Sequence, residues 1–240
     1  MLVDRLRYEL RILGGWIFAV PLAIMLAVTV LALLLSHSQI LPIRIAQVLT
    51  GSIEMVLPLA TTLLIANLIC YDAAMELQLT LPRTFALTAL WRLTLVVVWT
   101  AAISMVASTF IYHWKFLRIP AQLEHWAVIP QVLGEQLTWL APLLWLVGAG
   151  TCLALLIRSR VASSALISGL WIVEAIFYGY FISYSWLKPF FLFATTLAPG
   201  IEFWFVNRYS LLGIALLLFL VDWQLLHNAE ALLQGRAGEE

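Results

Sequence analysis

The chain has 240 residues, of which 63% are hydrophobic and only 11% charged, and its formal net charge is zero. Soluble domains carry about 25% charged residues, so water cannot solvate this surface, whereas lipid can. The neutral balance gives no basis for nucleic acid as a partner. Two cysteines, Cys70 and Cys152, supply neither a disulfide framework nor a zinc-binding spacing.

The first thirteen residues predict a helix lying in the membrane interface. At about 100° per residue, Leu2, Leu6, Leu10 and Leu13 share one face, and Asp4, Arg7, Tyr8 and Arg11 the other. Gly14 and Gly15 then permit a bend into the first span.

A helix needs ~20 apolar residues to cross ~30 Å of hydrocarbon. Six runs meet this, at 16–35, 52–70, 93–112, 137–157, 162–184 and 210–226. The first is too long for the apolar core of a signal peptide and is expected to be retained. Residues 1–240 therefore predict one all-α integral transmembrane domain with six helices.

The basic residues set the orientation. With a cytoplasmic N-terminus, eight arginines fall inside (Arg5, Arg7, Arg11, Arg83, Arg92, Arg158, Arg160 and Arg236). Five basic residues fall outside (Arg44, Lys115, Arg118, Lys188 and Arg208), so the bias has the positive-inside sign. Both termini are expected in the cytoplasm, and the protein in the inner (plasma) membrane as a multi-pass chain. The short turn at Arg158, Ser159 and Arg160 makes the fourth and fifth runs antiparallel neighbours.

Three connections stand out. Residues 71–92 form the longest cytoplasmic loop, where Pro82 disfavours helix at Leu81 and starts a new segment, and Asp72, Glu76, Arg83 and Arg92 keep it wet. Residues 113–136 are amphipathic and carry Pro120 and Pro130. Residues 186–209 are strongly apolar but broken by Pro189 and by Pro199-Gly200, so neither half can span. A re-entrant outer hairpin and a short interfacial loop with aromatic anchors both fit this segment.

Of the three carboxylates inside the runs, Glu54 and Glu174 need an explanation, because a charge costs ~2.5–3.5 kcal/mol at the bilayer centre and so tends to face protein. Glu174 shares an arc of the fifth run with Ser163, Ser164, Ser168 and Tyr178, opposite Ile172, Val173 and Ile176. It reads either as a pathway residue or as a structural hydrogen bond. Glu54 shares a stripe with Pro58 and Thr61 at i, i+4, i+7; a headgroup-level glutamate in water is the plainer reading, and a pathway residue the other. Asp222, near the inner end of the last run, is expected to reach water. The pathway candidates are thus Glu54, Thr61, Ser168, Glu174 and Tyr178. None of the four histidines has ligand spacing, so no metal site is expected.

At the long inner loop the sequence resembles the permease subunits of ATP-binding-cassette (ABC) transporters of the ABC type-2 permease family. Members carry a Glu-containing polar segment after the second span and then a leucine-rich stretch ending in Leu-Pro. Glu76-Leu77-Gln78-Leu79-Thr80-Leu81-Pro82 is similar to that pattern, and Arg92 stands where members carry Lys or Arg. Many members have Gly-Thr after the glutamate, where this chain has Leu77-Gln78.

The resemblance implies that 71–92 holds a coupling helix. Asp72, Glu76, Leu81, Pro82 and Arg83 would meet a separate ABC ATPase that binds ATP and Mg and hydrolyses the nucleotide. No G-x-x-x-x-G-K-[ST] loop occurs here, and the chain itself is expected not to be an enzyme and to need no cofactor. A second permease copy or a homologous permease is implied as well, with membrane lipid as the surrounding partner. The expected function is export of a hydrophobic or amphipathic substrate by alternating access. A non-transporting accessory subunit of a larger membrane complex is the alternative.

Overall fold

The structure is a computed structural model, and it describes residues 14–37, 42–70, 82–113 and 118–227. The expected interfacial helix at 1–13 lies outside the described residues, as do Asp72, Glu76 and Leu81 and most of the expected coupling helix.

Every described element is helical or a turn. Helix α1 spans Gly15–His37, α2 Pro42–Gly51, α3 Leu57–Cys70, α4 Pro82–His113, α5 Val128–Glu135 and α6 Leu137–Ile157. The chain continues through α7 at Arg160–Ile176, α8 at Tyr178–Ser183, α9 at Ala194–Leu197 and α10 at Trp204–His227. The result is an all-α multi-span bundle. Among the described residues five helical stretches are long and apolar enough to cross a membrane: Gly15–Ser36, Pro42–Cys70, Ala86–His113, Val128–Ile157 and Trp204–His227.

The sixth expected span is interrupted. The run at 162–184 divides at Phe177, whose backbone leaves the helical region (φ −98°, ψ 24°). The 17 residues of α7 reach only ~25 Å at 1.5 Å per residue, short of the ~30 Å hydrocarbon core. No proline lies at the break; Gly179, just beyond it, is the weak helix former there.

Two boundaries also move. The second span begins at Pro42 rather than at residue 52, because α2 and α3 join through a π-helical turn at Ser52–Val56. There the Leu57 N–H donates to Ser52 O, five residues back. The last helix begins at Trp204, so 204–209 belong to it and not to a hairpin.

Helix α6 is the centre of the bundle, packed along α3 on one side and α10 on the other. Small residues permit the close approach. A Cβ on Gly150 would stand 2.1 Å from Thr62 Cγ2, and one on Gly148 3.0 Å from Leu218 Cβ. Without a hydrophobic drive between helices in lipid, such close packing is a principal source of association. The α6–α7 turn is as tight as expected. Arg158 takes the left-handed conformation (φ 60°) at the end of α6, and the Ser159 side chain caps α7 by accepting from Ala162 N at 3.4 Å.

Candidate functional site

The residues from Leu187 to Ile201 fold into two short turns that sit inside one end of the bundle. Phe191, Leu192, Phe193 and Ala194 are each fully buried, as are Thr195 and Trp204. A segment this irregular carries backbone polar groups that lipid cannot satisfy. Side chains from three different helices satisfy them.

Glu54 stands in the π-helical turn and is fully buried. Its carboxylate accepts from Thr195 N at 3.0 Å and from Thr196 N at 2.6 Å, two amides of the first turn of α9. The same carboxylate pairs with Arg208 Nη2 on α10. Arg208 is also fully buried. Its Nη2 reaches Thr195 Oγ1 at 3.0 Å and its Nη1 reaches Leu192 O at 2.9 Å. Glu174 on α7 accepts from Leu192 N at 2.9 Å. Both polar groups of Leu192 are therefore held, its N–H by Glu174 and its C=O by Arg208.

A second layer fixes the first. Asn207 Nδ2 donates to Lys188 O at 2.7 Å and to Phe191 O at 2.9 Å. Trp204 Nε1 donates to Thr195 Oγ1 at 3.0 Å, with the Arg208 guanidinium 5.6 Å from its ring. Trp171 on α7 donates to Met55 O at 2.9 Å, a carbonyl of the π-helical turn. The segment is also pinned from the connection after α4. There Arg118 Nη1 reaches Thr196 O at 2.8 Å, Arg118 N reaches Thr50 Oγ1 at 3.1 Å, and Gln122 bonds Ile201 O. Gly51 makes room, since a Cβ there would lie 3.2 Å from Thr196 Cγ2.

The sequence candidates divide. Glu54 and Glu174 come together on the same short segment, from helices far apart in the chain. Glu54 is not a headgroup-level glutamate in water: the span starts at Pro42 rather than at residue 52, and 191–198 folds over it. Thr61 is buried but turns toward α4, where its hydroxyl lies 3.1 Å from Thr100 Oγ1. Ser168 is half-buried on α7. Tyr178 leaves the group: it lies past the break at Phe177 and is 42% exposed.

Pro82 and Arg83 occupy the first turn of α4. Arg92, expected to be wet, is buried on that helix. Asp222 does not reach water either. It is 1% exposed, and both its oxygens lack a hydrogen-bond partner among the described residues. It lies in the stripe of α10 with Leu211, Ala215 and Leu226, all of them buried.

Arg208 is the residue that sequence reasoning missed, together with Asn207 and Thr195. By hydropathy alone it reads as an outer-loop cation, because the last apolar run, 210–226, starts after it. Its spacing carried a signal: Trp204, Asn207, Arg208 and Leu211 fall at i, i+3, i+4, i+7, which is one face of a helix. A carboxylate inside a span also calls for a cation inside another.

Among the described residues no three His, Cys, Asp or Glu side chains converge as a metal site. The arrangement is a buried ionic and hydrogen-bonded clamp on a non-spanning segment. It can hold that segment in place, and it can release it by exchanging a limited set of polar contacts. No protein-family profile, curated protein or solved structure matches the chain.

Proposed function

We propose that this multi-pass membrane protein is the membrane-spanning permease subunit of an ATP-driven ABC exporter. It would work with a separate ATPase subunit and a second permease, and the segment from Leu187 to Ile201 would be its gate at the outer end. The observation that carries the reading is the Glu54–Arg208 pair closing on that segment. Buried ion pairs are weak contributors to stability, and ionisable groups inside a membrane mark pathways and switches. The π-helical turn that presents Glu54 points the same way, because such turns concentrate at functional sites. The loop resemblance at Glu76, Leu81 and Pro82 supplies the motor side of the reading.

The mechanism is alternating access. Closure of the ATPase pair on ATP pulls on the expected coupling segment at 71–81, which joins α3 to α4 in the chain. Strain on α3 reaches the π-helical turn. Glu54 then gives up the Thr195 and Thr196 amides, and α7 and α10 separate from α3 at that end. Glu174 and Ser168, both on α7, are the polar groups offered to a passing amphipathic molecule.

The test is reconstitution of the chain with its candidate ATPase in liposomes. The reading expects the ATPase to co-purify and its hydrolysis to rise with substrate. Replacing Glu76 by Leu should uncouple hydrolysis from transport, and so should removing the Leu81-Pro82 bend. Normal coupled transport in both variants sinks the docking assignment. An ATPase that co-purifies while no substrate moves across the membrane favours the accessory-subunit reading instead.

A further inference from the structure

Away from the clamp, a groove of about 500 Å³ runs between α1, α2 and α4. Its walls are hydrocarbon, from Leu22, Met25 and Leu49 on one side to Ile103 and Phe110 on the other. Its polar groups are already used. Thr29 donates to Met25 O at 2.7 Å, Ser36 to Leu33 O at 2.6 Å, and the Trp99 indole to Phe18 O at 3.1 Å. A polar ligand therefore finds no partner here, and water does not enter apolar cavities of this kind.

We propose that this groove binds one acyl chain of a bilayer phospholipid, from the leaflet at the Ser36 and Phe110 end. The dimensions fit that occupant. The fourteen helical steps from Leu22 to Ser36 along α1 cover ~21 Å. That exceeds the depth of one leaflet, half of a ~30 Å core, so a whole chain lies within the groove. The deep end is closed by Phe18 against Trp99, ring centroids 5.8 Å apart and nearly perpendicular. The long side is open where Leu26 and Phe110 are exposed, so the chain enters laterally from the membrane. Helix α1 is among the least buried spans, with 22% of its window covered by protein. A lipid chain fills the space between it and the bundle, where an empty void would forfeit packing contacts.

The full-length protein in phosphatidylcholine vesicles tests this, with a trace phospholipid carrying a photoactivatable diazirine at the methyl end of one chain. Cross-linked positions are mapped by mass spectrometry. Labelling should concentrate at Met25 and Trp99, well above that at Leu216, Leu217 and Leu220, which are exposed on α10. Ala107→Phe should bring the groove labelling down to the α10 level by filling the site. Ala102→Phe, at an exposed position on the wall, should do the same and serves if the first variant does not fold. Equal labelling of the groove and α10 in the natural sequence overturns the proposal, as does undiminished groove labelling in a folded variant. Protection of the groove that disappears on dilution into excess lipid identifies a second copy as the occupant, and overturns it too.

Discussion

Glu54 and Arg208 stand 154 positions apart in the chain and form an ion pair in which both side chains are fully buried. The pair ties the second membrane span to the last, and Glu54 also holds the Thr195 and Thr196 amides of the segment between them. Removing either partner leaves the other charge buried without its counter-ion, at a cost of about 3–5 kcal/mol. Glu54→Leu and Arg208→Leu should therefore each lower unfolding stability in nanodiscs by that order. The double variant should lose clearly less than the two losses added together. Simple additivity in the cycle would show that the pair is not energetically coupled.

Glu174 accepts one backbone hydrogen bond, from Leu192 N. Glu174→Gln keeps an acceptor oxygen in place, so assembly and thermal stability should stay near those of the natural protein. Glu174→Leu strands the buried amide and should cost about 1–3 kcal/mol. If Glu174 meets substrate, the Gln variant will transport slowly while remaining folded. Unchanged export by that variant removes Glu174 from the pathway and leaves it a structural acceptor.

The α3–α6 contact depends on Gly150. A methyl group there would lie 2.1 Å from Thr62 Cγ2, closer than side chains tolerate. Gly150→Ala should push the helices apart and destabilise the bundle by about 1–3 kcal/mol. Gly213→Ala on α10 meets nothing within 4 Å and should be neutral or slightly stabilising, since alanine is the better helix former. Thermal unfolding of the two variants side by side checks the contrast, and equal behaviour would contradict the packing described above.

Trp171 donates to Met55 O, a carbonyl of the π-helical turn. Trp171→Phe preserves much of the ring and removes the donor, so the loss should be about 1 kcal/mol. Faster amide hydrogen exchange confined to residues 52–57 is the expected signature. Unchanged exchange there would mean that Trp171 does not hold the turn.

Asp222 is buried in the stripe of α10 that carries Leu211, Ala215 and Leu226, and its oxygens have no hydrogen-bond partner among the described residues. A carboxyl in that position costs stability, so Asp222→Leu should raise the unfolding temperature, provided the site accommodates the side chain. A more stable variant that no longer transports would mark the residue as kept for function. A less stable one would show that the carboxyl has a structural partner.

The apolar runs by themselves determined that this chain lives in lipid and, for five stretches, roughly where it crosses. Run length is a local property, set by what one helix must present to hydrocarbon, and no tertiary contact is needed to read it. The helical wheel of 162–184 also turns Glu174 inward, where it is buried, because a carboxylate cannot be left facing lipid, but it places Tyr178 on the same arc, where the structure leaves it exposed. Only the tertiary structure decided the break at Phe177, the burial of Glu54 and the partnership with Arg208. Residues 188–201 are too short and too irregular for periodicity to place. Their position follows from three helices, remote in sequence, that each offer a polar group to the same few peptides. An isolated Glu54 reads as a solvated glutamate, and an isolated Arg208 as a loop cation. Bringing them within bonding distance removes both from water at once, and that arises from packing across 154 residues rather than from any local pattern.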